Sequence, residues 1–161
     1  MDSCPLWGYA IHRMELTHAE HHIYYATYHL VWTPKYRHPV FKEPYRGVLK
    51  SIIVKAAYDY NIDIQDIEIP SDHVHALVSF PPPMSISTCM RVLKSVSARE
   101  LFKRYPSIRA KYFWGGKLWS PSYYAETIGQ RNEQAIQAYI RHQLDAESKL
   151  IERSRQLKLF P

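Results

Sequence analysis

The chain has 161 residues, 46% of them hydrophobic and 22% charged, a composition that suits a globular domain and excludes a disordered chain. Its 21 Lys and Arg against 15 Asp and Glu give a formal net charge of +6, a balance that suits a polyanionic partner without requiring one. Two cysteines, Cys4 and Cys89, argue against a disulfide framework. With no basic-then-apolar leader and no apolar run near the ~18 residues of a membrane span, a cytoplasmic protein without membrane contact is expected.

Residues 1–21 show no clear period and are expected to form an extension, partly helical, outside the main fold. IYYATYHLVW (23–32) is rich in β-branched and aromatic residues and reads as a strand ending at Thr33-Pro34. KYRHPVFKEP (35–44) is a polar, proline-bearing loop. From Pro44 to Tyr60 the spacing of Leu49, Ile52, Ile53, Ala56 and Tyr60 predicts a helix, and Asn61 suits its exit. IDIQDIEIP (62–70) is a second strand whose isoleucines change parity between Ile64 and Ile67, the mark of a bulge. HVHALVSF (73–80) follows so closely that the two should form a hairpin.

Ser85 or Ser87 can cap a helix carrying Ile86, Met90, Leu93, Val96 and Leu101 at helical spacing. Arg91, Lys94, Arg99 and Lys103 share that helix, as solvated charges or as a phosphate-binding face. After the basic connector YPSIRAKYFWGG, KLWSPSYYAETIG (117–129) reads as a fourth strand interrupted at Pro121. Gly129-Gln130 is a break, and Asn132 can cap a last helix over about 133–150 with Ile136, Ile140 and Leu144 as its buried stripe. The order β-α-β-β-α-β-α predicts an α+β fold: a ferredoxin-like, split βαβ antiparallel sheet with helices on one face plus a C-terminal helix. Residues 22–150 form the domain, and 151–161 a tail.

Two features carry chemistry. His73 and His75 lie two apart on a strand, so their rings share a direction. Two neutral imidazoles can chelate a divalent ion, although on pattern alone two ordinary half-exposed histidines are the commoner case. Val74, Ala76, Val78 and Phe80 supply a core face, leaving His73, His75 and Ser79 on the other. In AYIRHQL, Tyr139 and Gln143 are four apart and stack on one helix face beside the buried stripe. Spacing alone suggests a half-buried tyrosine with a polar neighbour. If the helix crosses the open sheet face, the Gln143 amide could be a third metal ligand, with the Tyr139 hydroxyl alongside. Asp72 can orient a histidine or simply form a turn. Tyr123 and Tyr124 are adjacent, so one of them faces the open side and competes with Tyr139 for any role a phenol plays there. There is no Gly-rich phosphate loop ending in Lys-Ser/Thr, so no nucleotide cofactor is expected.

His73-Val74-His75 resembles the HUH signature (histidine, hydrophobic, histidine), and Tyr139 to Gln143 resembles the Tyr-x-x-x-Gln signature that follows it in single-tyrosine HUH transposases, the TnpA-type enzymes of small insertion sequences. The run from Tyr28 through Pro34 to Arg37 resembles that family's opening strand and loop, and the run from Leu118 to Gly129 is similar to it as well. The similarity spans about residues 22–150.

The resemblance implies a transposase that cuts and rejoins single-stranded DNA with hairpin ends. Tyr139 would be the nucleophile, forming a covalent 5′-phosphotyrosine and freeing a 3′-OH. His73, His75 and Gln143 would hold Mg²⁺ or Mn²⁺; the donor set by itself favours Mn²⁺ or a softer ion. A phenol is a poor nucleophile at neutral pH but a workable leaving group, so the link conserves bond energy and can be reversed without ATP. The family also implies a homodimer, with the tyrosine helix serving the partner's histidines in trans across a hinge at Gly129-Gln130. Lys35, Arg37, Arg91, Lys94, Arg99, Lys103, Arg104, Arg109 and Lys111 are candidates for phosphate contacts. Two alternatives stay open: a non-catalytic, RRM-like binder of single-stranded nucleic acid, and a domesticated HUH nuclease acting on repeat hairpins. The glycine and aromatic run of an RRM platform is missing from the third strand, which counts against the first.

Overall fold

The structure, a computed structural model, describes residues 17–19, 22–24, 26–129, 136–142 and 149. Two short strands, β1 (Thr17–Ala19) and β2 (His22–Tyr24), pair with each other. The main body runs β3 (Thr27–Trp32), a 3₁₀ turn (Lys35–Arg37), α1 (Tyr45–Asp59), β4 (Asp63–Glu68), β5 (Val74–Ser79), α2 (Ile86–Arg104), α3 (Pro106–Tyr112) and β6 (Tyr124–Ile128). Residues 136–142 are helical and are called α4 below.

The four strands form one antiparallel sheet in the order β4-β5-β3-β6. α1 joins β3 to β4 across β5, and α2 with α3 joins β5 to β6 across β3. That is the split βαβ order expected from the sequence, and the bulge lies between Ile64 and Asp66, within the parity change of the isoleucines.

Local chemistry explains the helix ends. Ser85 Oγ accepts from the Thr88 amide at 3.1 Å, capping α2. Lys103 and Arg104 lie in its last turn, where cations favour the helix dipole. Asn61, at φ 55°, takes the left-handed position that ends α1. α1 buries Leu49, Ile52, Ile53, Ala56 and Ala57, and α2 buries Cys89, Met90, Leu93, Ser97 and Leu101. Together they seal one face of the sheet over Leu30, Trp32, Val74, Ala76 and Val78.

The structure departs from the sequence expectations in three places. The strand predicted over 23–32 divides: its start pairs with Thr17–Ala19, and only Thr27–Trp32 enters the main sheet. Part of the supposed extension is therefore β-structure. The basic connector contains α3, whose Pro106 sits at the first helical turn, where a missing N–H costs nothing. The fourth strand is shorter than 117–129, because Leu118 and Trp119 turn inward ahead of it; Trp119 Nε1 donates to Ser97 Oγ at 2.9 Å. The condition set for the last helix is met, and the second face of the sheet is also covered. Leu77, on the same side of β5 as His75, packs with Ile128, Ile140 and Ile136, so α4 lies over the histidine face. Leu144 and Gln143 lie outside the described residues, as do residues 1–16 and 151–161.

Candidate active site

The register of β5 against β3 assembles the polar centre. Val31 lies opposite His75, and His29 opposite Leu77, so His29 stands diagonally from His75 on the same face. Their rings are joined by a bond between His29 Nε2 and His75 Nδ1 at 3.0 Å. With ring planes 9° apart and centroids at 5.3 Å, that bond runs edge to edge between two nearly coplanar rings. Both side chains are buried, at 7% and 6% exposure. Burial, and the neighbouring His73 and His29, hold His75 down to about 4, while burial also lowers His29 against an opposing pull from Glu126. At neutral pH both rings are uncharged, the state in which an imidazole can ligate a cation.

His73 reaches the same place from the turn before β5. Its ring meets His75 edge-on, with centroids 4.6 Å apart. His73 Nδ1 is bonded to Asp72 Oδ1 at 2.5 Å, and the other carboxylate oxygen of Asp72 pairs with Arg37 at 3.3 Å. Asp72 is thus an orienting carboxylate as well as a turn residue. Arg37 is brought to it by an unusual backbone: Tyr36 and Arg37 both have positive φ, 66° and 50°, a conformation that costs a non-glycine residue free energy and is found where geometry serves function. Sequence reasoning had no signal for this turn.

α4 supplies the tyrosine. Ile140 is fully buried against Leu77 and Ile128, and the Arg141 Nε donates to Asp66 Oδ2 at 3.0 Å. Between them Tyr139 projects at the edge of the contact, 53% exposed, with its ring edge-on to His75 at 5.9 Å between centroids. The structure therefore brings together His73, His75 and Tyr139. The Gln143 position, and Gln130 of the expected hinge, lie outside the described residues.

The competing tyrosines separate. Tyr124, opposite Val31, is on the histidine face; its hydroxyl donates to Glu126 Oε2 at 3.1 Å, which raises its pKa. Tyr123 lies under Lys94 instead. The cations expected to meet phosphate also differ in their surroundings. Lys94 Nζ donates to the carbonyls of Ser120 and Ser122, each at 2.8 Å, so it clamps the turn into β6; desolvation lowers its pKa. Arg37 is tied to Asp72, and Arg99 pairs with Glu100 at 3.1 Å. Lys35 lies over Tyr36, Lys111 over Tyr112 and Arg109 near Phe102. Arg91, Lys103 and Arg104 are exposed. Arg99 and Arg104 line a groove over α1 and α2, across the sheet from the histidines.

Each candidate ligand engages its neighbour through Nδ1, so Nε2 is the nitrogen each has to offer a cation. Rings held through the far nitrogen are what a histidine metal site needs, so the pair fits a divalent ion. Among the described residues no three His, Cys, Asp or Glu side chains group into a metal cage, and the pair alone would leave positions for a ligand from elsewhere and for substrate. No helix among the described residues is long and apolar enough to cross a membrane.

Comparison with known proteins shows the family. The profile of the family described as "Transposase IS200 like" matches residues 22–143. The chain is 37% identical over 139 residues to the ISDra2 transposase TnpA of Deinococcus radiodurans, covering 86% of this chain and 99% of that protein. It is 37% identical over 120 residues to the transposase for insertion sequence element IS200 of Salmonella typhimurium, covering 74% and 78%. Among solved structures, a transposase candidate from Deinococcus radiodurans superposes with a TM-score of 0.66 at 33% identity, over 79% of this chain and 97% of that one. A REP-associated tyrosine transposase bound to a REP hairpin shares the fold, with a TM-score of 0.54 at 16% identity over 78% and 72%. With the matched profile covering both histidines and the tyrosine helix, the chain belongs to the IS200-like transposase family.

Proposed function

We propose that the protein cleaves and rejoins single-stranded DNA through a covalent 5′-phosphotyrosine, with Tyr139 as nucleophile and His73, His75 and Gln143 as the ligands of Mg²⁺ or Mn²⁺. One observation carries the reading: the exposed Tyr139 ring lies against His75, which itself touches His73. A nucleophile and two imidazoles thus meet on one sheet face. The bound ion would polarise the phosphate oxygens and stabilise charge in the transition state.

The chain's own residues do the rest. The Tyr139 oxygen forms a bond to phosphorus as the bond to the 3′ oxygen breaks, and the phenolic proton ends on that 3′ oxygen. Asp72 and His29 hold the two imidazoles; Ile140 and Arg141 hold the tyrosine helix. A DNA 3′-OH attacking the phosphotyrosine reverses the step. The name of the IS200 relative supports a mobile insertion sequence as the context, and the hairpin held by the REP-associated relative supports DNA hairpins as the recognised ends.

The test is incubation of purified protein with single-stranded oligonucleotides from the flanks of its gene and Mg²⁺ or Mn²⁺. A covalent DNA adduct lost in Tyr139→Phe and in His73→Ala is expected. An adduct that survives Tyr139→Phe and disappears in Tyr124→Phe overturns the assignment of the nucleophile. Mixed dimers of His73→Ala and Tyr139→Phe chains address the proposed homodimer: a trans arrangement restores one intact site, and complete inactivity speaks for cis.

A further inference from the structure

We infer that His29 is a positioning residue: by accepting a hydrogen bond at Nε2 it fixes His75 in the tautomer whose Nε2 lone pair faces outward as a ligand. The inference rests on the metal reading above only for its purpose; the tautomer itself is a property of the metal-free protein.

The two candidate ligands are held by unlike partners. His73 is backed by Asp72, a carboxylate that can only accept, so His73 must carry its proton at Nδ1. His75 is backed by another imidazole, and a bond between two neutral imidazoles can run either way. If His29 donated, the His75 proton would sit on Nε2 and that nitrogen could not ligate. The direction of one hydrogen bond therefore decides whether His75 can serve.

The strand on the far side of His29 sets that direction. Glu126 of β6 is the direct cross-strand partner of His29, on the same face, while His75 lies on the other side, on β5. Its negative charge acts on His29, and a carboxylate placed on the β6 side favours a ring proton on that side over one on the nitrogen that faces His75. Tyr124 in turn donates to Glu126 Oε2, fixing the carboxylate. The result is a relay across three strands, from Tyr124 and Glu126 through His29 to His75. Among the described residues, the ring against Tyr139 is that of His75, and His29 and Glu126 reach the site through it.

The experiment uses the full chain labelled with ¹⁵N. Long-range proton–nitrogen spectra of the metal-free protein give each histidine's tautomer, and Mn²⁺ titration followed by electron paramagnetic resonance gives affinity. In wild type, His75 is expected as the Nδ1–H form. His29→Leu should move it toward Nε2–H and weaken Mn²⁺ binding by about tenfold or more, the usual effect of losing a ligand's hydrogen-bond partner. His29→Gln, which keeps an acceptor near the Nε2 position, should retain both properties, and Glu126→Gln should shift the tautomer partway. If His29→Leu does not fold, the Gln variants carry the test. An Nε2–H His75 in wild type, or an Nδ1–H His75 unchanged in His29→Leu and Glu126→Gln with Mn²⁺ affinity kept, overturns the inference. A wild-type protein that shows the expected tautomer response yet binds no Mn²⁺ removes the metal reading and leaves the positioning of His75 by His29 supported.

Discussion

Beneath α1 and α2 the sheet presents Leu30, Trp32, Val74, Ala76 and Val78, all at or below 1% exposure, to two helices that bury a further row of aliphatic residues. Across the same strands, one residue out of step, the other face presents His29, His75, Asp66, Glu68, Glu126 and Tyr124 around a small apolar cluster of Leu77, Ile128 and Ile140. The first face is a core. The second is half-covered, and its buried histidines are held neutral at a cost in desolvation. The contrast teaches where stability and chemistry are kept apart. The helical face supplies the burial that holds the sheet, so the other face can carry polar groups and present a tyrosine to solvent.

The largest expected effect belongs to the polar face and leaves the core alone. His73→Ala should abolish the covalent DNA adduct while moving the urea midpoint little, since this half-buried side chain is held mainly by Asp72. A large fall in stability together with activity would mean that the two faces do not divide labour as argued. Next is Leu93→Ala, on the buried face of α2 and itself fully buried, which should cost roughly 2–5 kcal/mol by urea unfolding. Cys89, buried in the same helix, has its thiol pushed up to about 12 by burial. It should resist iodoacetamide at pH 8 in the folded protein and react on unfolding, as mass spectrometry of its peptide would show.

Ile140→Ala tests the boundary between the faces. The cluster it joins is small, so the loss should lie near the lower end of that range, about 2 kcal/mol. The adduct yield should nonetheless fall further than after Leu93→Ala at equal folded fraction, because Ile140 seats the helix bearing Tyr139. Paired with Leu77→Ala, the two losses should couple by about 0.5 kcal/mol or more. Strict additivity would indicate that α4 does not rest on Leu77.

Much of this division was legible in the sequence. The strand and helix periods gave the order of elements, and the alternation in HVHALVSF separated Val74, Ala76 and Val78 from His73 and His75. Leu77 was missed because a central strand is apolar on both faces, and a single alternation cannot describe it. His29 was within reach: it is out of phase with Leu30 and Trp32, and the split βαβ order puts its strand beside β5. Arg37 was not, because its approach to Asp72 depends on two consecutive positive φ angles at residues that give no glycine signal. Nor could composition distinguish Lys94, anchored on backbone carbonyls, from the exposed Lys103.

The smallest effect concerns the ion pair at the edge of α4. Arg141 is 57% exposed and Asp66 13%, so water screens one partner and not the other. An exposed pair contributes at most about 1 kcal/mol, and Arg141→Gln should lower the unfolding free energy by less than that. Its consequence should be local: faster hydrogen exchange of the amides in 136–142, with the difference from wild type shrinking in 1 M salt, where screening acts within about 3 Å. Asp66→Asn should behave alike, since either change removes the same attraction. If Asp66→Asn instead lowered stability as much as Ile140→Ala, polar contacts rather than Leu77 and Ile140 would dock the tyrosine helix. The histidine face would then be held by charge, and its adduct yield should fall steeply with ionic strength; an apolar seat predicts no such fall from the helix contact itself.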